Sequence, residues 1–257
     1  MGEFVTLDVQ DGVGLIRLDR PPANALSRAV NGELGEAFAE ADSRRDVGAI
    51  VIWGGPKIFA AGADIKEMAE DGPEDIRGRV GLLTRALDVL ERSPKVSIAA
   101  MSGLALGGGF EVALACDLRY LAEDGAVGQP EIKLGVIPGA GGTQRLTRMV
   151  GPGMARWLVY TGTQLGAEAA LRLGLVERVF PAAELLEAAM REARAFAHGP
   201  REALAAAKAA IRAAVDTPGR EGFEVELDRF AALFGTADQR EGMLAFREKR
   251  APIFGAE

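Results

Sequence analysis

The chain has 257 residues, of which 48% are hydrophobic and 26% charged, and its formal net charge is -7. This length allows a single large domain, and the acidic balance lacks the basic footprint that nucleic-acid binding normally shows. One cysteine, Cys116, excludes an internal disulfide and is typical of a reducing cytoplasm. The N-terminus shows no secretory signal, and no apolar run reaches the roughly 20 residues that span a bilayer. We therefore expect a soluble cytoplasmic protein without membrane or nucleic-acid partners.

Apolar periodicity predicts alternating strands and helices in the first part of the chain. Asp11-Gly12 separates two alternating runs, which is a hairpin signal, and Ser27 is a suitable N-cap for the helix that follows. The continuous apolar run over 48–53 predicts a strand buried on both faces. In chain order, the predicted strands are 4–9, 13–18, 48–53, 96–101 and 117–122, and the predicted helices are 28–43, 65–68, 74–91 and 109–116.

After Gly151-Pro152 the composition shifts towards alanine and alternating charge, which predicts a helical layer. The helices predicted there are 152–161, 167–173, 183–197, 201–214, 220–234 and 237–249, with one short strand over 176–180. Strand–helix alternation followed by helices predicts an α/β fold. His198 is the only histidine and lies at a predicted helix end, which argues against His-rich metal sites and a Ser-His-Asp triad.

Two acidic residues stand among glycines and apolar residues between positions 96 and 148. Glu111 lies in the first turn of a predicted helix that is apolar on nearly every face, and Glu131 follows in a turn with Pro130. A buried carboxylate is costly unless it is partnered or protonated, and no Lys or Arg lies within one helical turn of Glu111. Glu111 is therefore a candidate for a raised pKa and for acid–base chemistry.

The glycines over 103–109 admit several interpretations. A dinucleotide cradle is disfavoured because the GxGxxG spacing and the acidic residue about 20 positions later are missing, and no phosphate-loop lysine follows. Free N–H groups at the start of the next helix would instead form a site for negative charge. Glycines that merely permit tight packing remain an alternative.

Five motifs in this order resemble the enoyl-CoA hydratase/isomerase (crotonase) family: NALS at 24–27, FAAGADIKEM at 59–68, ALGGGFEVALACDLRY at 105–120, GQPEIKLGVIPGAGGTQRL at 128–146 and EGMLAFREKRAPIF at 241–254. The resemblance extends essentially from end to end. It implies a crotonase-like α/β spiral of repeated ββα units. It also implies a core with the CoA-thioester site over 1–200, and a C-terminal helical region over 201–257 that packs homotrimers or homohexamers.

Position by position, the resemblance implies roles for individual residues. The oxyanion-hole amides fall on Ala63 and Gly108, and the catalytic carboxylates on Glu111 and Glu131. The positions implied to contact the CoA thioester are Ala61, Ala63, Asp64, Ile65, Lys66, Gly107, Gly108, Phe246 and Lys249. Of these, Phe246 and Lys249 match C-terminal positions that reach the CoA of a neighbouring subunit in relatives.

The implied activity is that of an enoyl-CoA hydratase, which adds water reversibly across the 2,3 double bond of a 2-enoyl-CoA to give 3-hydroxyacyl-CoA, in fatty-acid or related acyl-CoA metabolism. Two N–H donors would stabilise the developing enolate, while Glu111 activates water and Glu131 protonates C2. No metal or redox cofactor is expected, since coenzyme A belongs to the substrate. The alternatives are a Δ3,Δ2-enoyl-CoA isomerase or another acyl-CoA lyase of the family, and a non-catalytic acyl-CoA-binding or RNA-binding relative.

Overall fold

Two β-sheets and a set of surrounding helices build the chain over residues 2–216 and 220–255, which the computed structural model describes. The strands are β1 Val5–Gln10, β2 Val13–Leu18, β3 Ala49–Trp53, β4 Val96–Met101, β5 Leu104–Leu106, β6 Leu118–Ala122, β7 Ala126–Gly128, β8 Gln164–Gly166 and β9 Arg178–Phe180. The α-helices are α1 Arg28–Ser43, α2 Ile65–Met68, α3 Pro73–Arg92, α4 Gly108–Ala115, α5 Gly142–Thr161, α6 Ala167–Arg172, α7 Leu185–Ala197, α8 Arg201–Asp216, α9 Arg220–Leu233 and α10 Ala237–Glu248. A 3-10 turn spans Glu131–Leu134. The predicted α/β class is confirmed.

The larger sheet has six strands in the order β1-β2-β3-β4-β6-β9, and the smaller sheet has the order β5-β7-β8. In the larger sheet β1 and β2 form an antiparallel hairpin, and the remaining pairs are parallel. Asp11 (φ 50°) and Gly12 (φ 76°) both have positive φ, as the tight turn of a two-residue hairpin requires. The predicted hairpin is confirmed.

The central strand β3 is buried on both faces, as its continuous apolar sequence predicts. Ile50 and Ile52 face one cluster of buried side chains, to which α1 and α3 contribute. Ala49 and Val51 face a second cluster, to which α7 contributes. Alternate residues of this strand therefore pack into the two clusters on opposite sides of the sheet, because successive side chains of a strand point to opposite faces.

Two isolated bridges hold the loop that precedes α2 against the rest of the fold. Leu26 pairs with Ala63, and Ala60 pairs with Ala105 at the start of the smaller sheet. The buried Asn24 also holds this loop, because its Nδ2 donates hydrogen bonds to Gly54 O (2.6 Å) and to the carbonyl of Phe59 (3.0 Å). The loop is thus fixed beside the N-terminus of α4.

Two parts of the secondary structure were not predicted. The helix predicted over 152–161 is the second segment of α5, after a break at Gly151 (φ 74°), and the segment that begins at Gly142 was not predicted. The three-residue strands β5, β7 and β8 were not predicted, because runs this short carry too little periodicity to stand out. They matter for function because β5 leads directly into α4.

The C-terminal helices lie outside both clusters of buried side chains. Neither cluster includes a described residue beyond Ala197. A division into a core over 1–200 and a helical region over 201–257 stays a prediction. Among the helices that the structure describes, none is both long and apolar enough to cross a bilayer.

Candidate active site

Most of the predicted site residues line one cavity of about 280 Å³. It lies where the N-terminus of α4 meets the loop before α2, the helices α1 and α3, and the segment over 130–140. The predicted site residues that line it are Ala61, Ala63, Ile65, Gly107, Gly108, Glu111 and Glu131.

Two backbone N–H groups meet at one edge of this cavity. Gly108 is the first residue of α4, and a Cβ placed on it would lie 3.9 Å from the backbone nitrogen of Ala63. Within residues 2–216 and 220–255, neither N–H donates to a protein acceptor. The residues just before them, Gly62 (φ 98°) and Gly107 (φ 53°), adopt conformations that favour glycine. Two backbone N–H groups without a protein acceptor therefore lie close together at this edge of the cavity, and groups of this kind can stabilise negative charge.

Glu111 is buried, with 3% of its surface exposed. Burial raises the pKa of its carboxyl group, while hydrogen bonds from the N–H groups of Gly142 and Ala140, and the charge of Arg145, oppose that rise. Both of these N–H groups donate to Oε1, each at 2.7 Å. The partners of this buried acid are therefore backbone groups from a distant loop, which the local sequence around Glu111 does not contain.

Arg145 holds that loop in place. Its Nη1 donates to Ala140 O (2.9 Å), and its Nη2 forms an ion pair with Glu91 on α3 (2.7 Å). Arg145 is itself almost buried. The loop is consequently tied to α3 through a charged contact, and this fixes the N–H groups that hold Glu111.

Glu131 begins the 3-10 turn and is partly buried beside Glu111. Burial raises the pKa of Glu131 to about 7, and the charge of Glu111 contributes to the rise. A Cβ on Gly107 would lie 3.0 Å from Glu131 Oε1, so the glycine leaves room for the carboxylate. The two predicted acids therefore share one site.

Gln129 is a further residue of this site, and the sequence suggested no role for it. It is buried, and the amide orientation assigned from its neighbours lets Nε2 donate to Oε1 (2.8 Å) and Oε2 (3.1 Å) of Glu131. A donor beside both oxygens holds the carboxyl group of Glu131 in one orientation. Its position two residues before an acid, in a buried turn, was the signal that could have revealed it.

Four of the predicted contact residues do not line the cavity of this chain. Asp64 accepts hydrogen bonds from the N–H groups of Lys66 and Glu67 as the N-cap of α2, and it pairs with Arg20 (2.7 Å). Lys66, Phe246 and Lys249 are exposed, and Phe246 and Lys249 lie at the end of α10, with 85% of Phe246 exposed. Contacts of these residues with CoA stay predictions.

Comparison with known proteins shows which family the chain belongs to. A sequence model described as enoyl-CoA hydratase/isomerase matches residues 8–257. The chain belongs to the enoyl-CoA hydratase/isomerase family. Among family members, a protein named probable enoyl-CoA hydratase from Mycobacterium tuberculosis (strain CDC 1551 / Oshkosh) is 45% identical over 98% of both chains. The mitochondrial enoyl-CoA hydratase of Pongo abelii is 44% identical over 94% of this chain and 83% of its own.

A solved structure extends the comparison to the fold of the family. The enoyl-CoA hydratase from Bacillus anthracis superposes with a TM-score of 0.94 at 38% sequence identity, over 99% of this chain and 100% of that chain. The crotonase fold that the sequence motifs imply is therefore confirmed.

Proposed function

We propose that this protein is an enoyl-CoA hydratase, an enzyme that adds water across the 2,3 double bond of a 2-enoyl-CoA to give a 3-hydroxyacyl-CoA. The observation that carries the proposal is the meeting of two carboxylates, Glu111 and Glu131, with two free backbone donors in one cavity. The names of the similar proteins support a hydratase over an isomerase.

The two N–H groups of Ala63 and Gly108 bind the thioester oxygen of the substrate. As water adds at C3, negative charge develops on this oxygen, and the transition state becomes enolate-like. Donors that already point at the oxygen stabilise this charge without reorganisation, which is where their catalytic effect arises. The positive φ angles of Gly62 and Gly107 supply that orientation through covalent geometry.

The carboxylates divide the proton transfers. Glu111 uses Oε1 to accept two backbone hydrogen bonds, and its remaining oxygen takes a proton from the attacking water. The hydroxide equivalent forms the C–O bond at C3, and Glu131 gives its proton to C2. Raised pKa values suit both tasks. Burial raises the pKa of Glu111, which makes its carboxylate a stronger base than an exposed one, and Glu131, with a pKa of about 7, still holds its proton in about half of the molecules at pH 7.

Coenzyme A is the part of the substrate that residues outside the reaction centre can bind. We propose that Ala61, Asp64, Ile65 and Lys66 contact it at the cavity entrance, and that Phe246 and Lys249 contact the CoA bound to a neighbouring subunit. The reaction uses no further cofactor or metal, since backbone donors and carboxylates supply each step. A cytoplasmic place in fatty-acid metabolism, including β-oxidation, is part of the proposal.

The direct test is a hydration assay across enoyl-CoA chain lengths, with isomerisation of 3-enoyl-CoA measured in parallel. Loss of the enoyl absorbance with formation of 3-hydroxyacyl-CoA is expected. If the protein isomerises 3-enoyl-CoA but does not hydrate crotonyl-CoA, the isomerase alternative replaces this proposal. Binding of acyl-CoA without turnover would indicate a non-catalytic relative.

We expect an alkaline limb in the pH profile of hydration. Glu131 acts in its protonated form, and its pKa is about 7, so it loses the required proton as the pH rises through that value. The kcat/KM should be about half its maximum near pH 7 and fall about tenfold per unit well above it, measured between about pH 5 and about pH 9. Glu131→Gln should abolish this limb. A limb that persists in this variant belongs to another group.

We expect homotrimers or homohexamers in solution. A stripe of apolar residues on α9 and just beyond it is largely exposed in the single chain: Phe223, Leu227, Phe230, Leu233 and Phe234. Exposed apolar patches of this kind mark interaction surfaces. Sedimentation at micromolar concentration should show the assembly, and Phe223→Glu together with Leu227→Glu should weaken it. A monomeric wild-type protein would contradict the expectation.

A further inference from the structure

One polar side chain without a partner lies in the active-site cavity. Asn31, on α1, lines this cavity and is only 4% exposed. Its amide oxygen, Oδ1, is buried and accepts no hydrogen bond from the part of the chain that the structure describes. Buried polar groups are nearly always paired, and an exception calls for an explanation. An unpaired amide oxygen on a side chain that lines a substrate cavity points to a partner on the substrate.

Asn31 belongs to the part of the cavity that would receive the acyl chain. We call this part the acyl wall, and its residues on and beside α1 and α3 are Leu26, Asn31, Ile76, Arg79, Val80 and Leu83. The wall starts beside the oxyanion position, since Leu26 Cδ1 and Leu83 Cδ2 would lie 3.1 and 3.6 Å from a Cβ on Gly108. Except for Asn31 and Arg79, all its members are apolar.

Arg79 does not offer a free charge to the substrate. Its Nε pairs with Asp71 (2.6 Å), and its Nη1 pairs with Glu67. The guanidinium is thus already paired with carboxylates of the protein. It does not favour a carboxylate on the acyl chain over a neutral polar group.

We propose that Asn31 is a specificity residue that forms a hydrogen bond with a hydroxyl group on the acyl chain. A hydroxyl both donates and accepts, so it can satisfy either end of the amide. The inference rests on the proposed hydratase site, because that site defines which part of the cavity holds the acyl chain. A polar pocket discriminates against substrates that leave its polar group unpaired. An apolar pocket discriminates only weakly between a hydroxylated acyl chain and an unsubstituted one.

The test compares kcat/KM for straight-chain 2-enoyl-CoAs with kcat/KM for the same chains bearing a terminal hydroxyl. At the best-fitting chain length, the wild type should prefer the hydroxylated substrate by about 10- to 100-fold. In Asn31→Leu, which keeps a side chain of similar size, this preference should fall to within a few-fold of unity. The matched control Ile76→Val shortens an apolar side chain of the acyl wall without changing the polarity of the wall. It should change kcat/KM for the plain and for the hydroxylated substrates by a similar factor.

Thermal unfolding of the ligand-free protein separates specificity from a structural role. Removal of an unpaired buried amide oxygen should raise the Tm of Asn31→Leu by about 2–4 °C. A lower Tm, or a variant that does not fold, would show a structural role and overturn the inference. It is also overturned if the wild type shows no preference, or if Asn31→Leu keeps the preference. If the wild type hydrates neither series, the proposed hydratase function itself is wrong, which is a distinguishable result.

Discussion

Glu111→Gln and Glu131→Gln should each lower kcat for the hydration of crotonyl-CoA by about 10²–10⁴-fold, the range typical of a lost general acid or base. Glutamine keeps the size of each side chain and cannot take or give the proton. At position 111 its oxygen can still accept the hydrogen bonds from Ala140 and Gly142, so the loop should stay in place. Affinity for butyryl-CoA, measured by calorimetry, should change little.

A matched control removes the same charge elsewhere. Glu123 is exposed on the turn after β6, and Glu123→Gln should retain wild-type kcat. The double variant at positions 111 and 131 should lose less than the product of the single losses, because the two acids act in one step. Near-normal hydration by either single variant would remove that residue from the proposed mechanism.

Gly108→Pro should lower kcat by about 10²–10³-fold, equivalent to about 2.7–4 kcal/mol, because it deletes one donor to the thioester oxygen. The structure makes this change feasible. Gly108 is the first residue of α4 and lacks a positive φ, and proline is well tolerated at that helix position. Gly107 before it lies outside the α region that a following proline disfavours.

Gly108→Ala separates the donor from the added bulk. Its Cβ would meet Leu26 Cδ1 at 3.1 Å, a contact that the end of a flexible side chain can relieve, and its N–H remains. The alanine variant should therefore keep far more of kcat than the proline variant, both measured at saturating substrate. Circular dichroism and sedimentation should match the wild type. Equal losses in the two variants would assign the effect to packing, and full activity in the proline variant would show that this N–H does not stabilise the enolate.

Local sequence pattern determined most of the secondary structure and pointed to the chemistry. The bounds of β2, α1, α2 and β4 agree with those predicted, because side-chain periodicity directly reflects which face of a strand or helix is buried. Glu111 was recognisable for the same reason, since a carboxylate conflicts with an apolar helix. The motifs then implied the family, which the comparisons confirm.

The tertiary structure alone decided how the site is assembled. The N–H groups of Ala140 and Gly142 that hold Glu111 carry no sequence signature, because every residue except proline has the same backbone donor. The pKa of Glu131 depends on burial and on a neighbour 20 positions away in the chain. Asn31 looks like an ordinary polar residue of α1 until long-range packing places it in the cavity without a partner. Sequence periodicity reports local burial, whereas these features arise from contacts between segments that are distant in the chain.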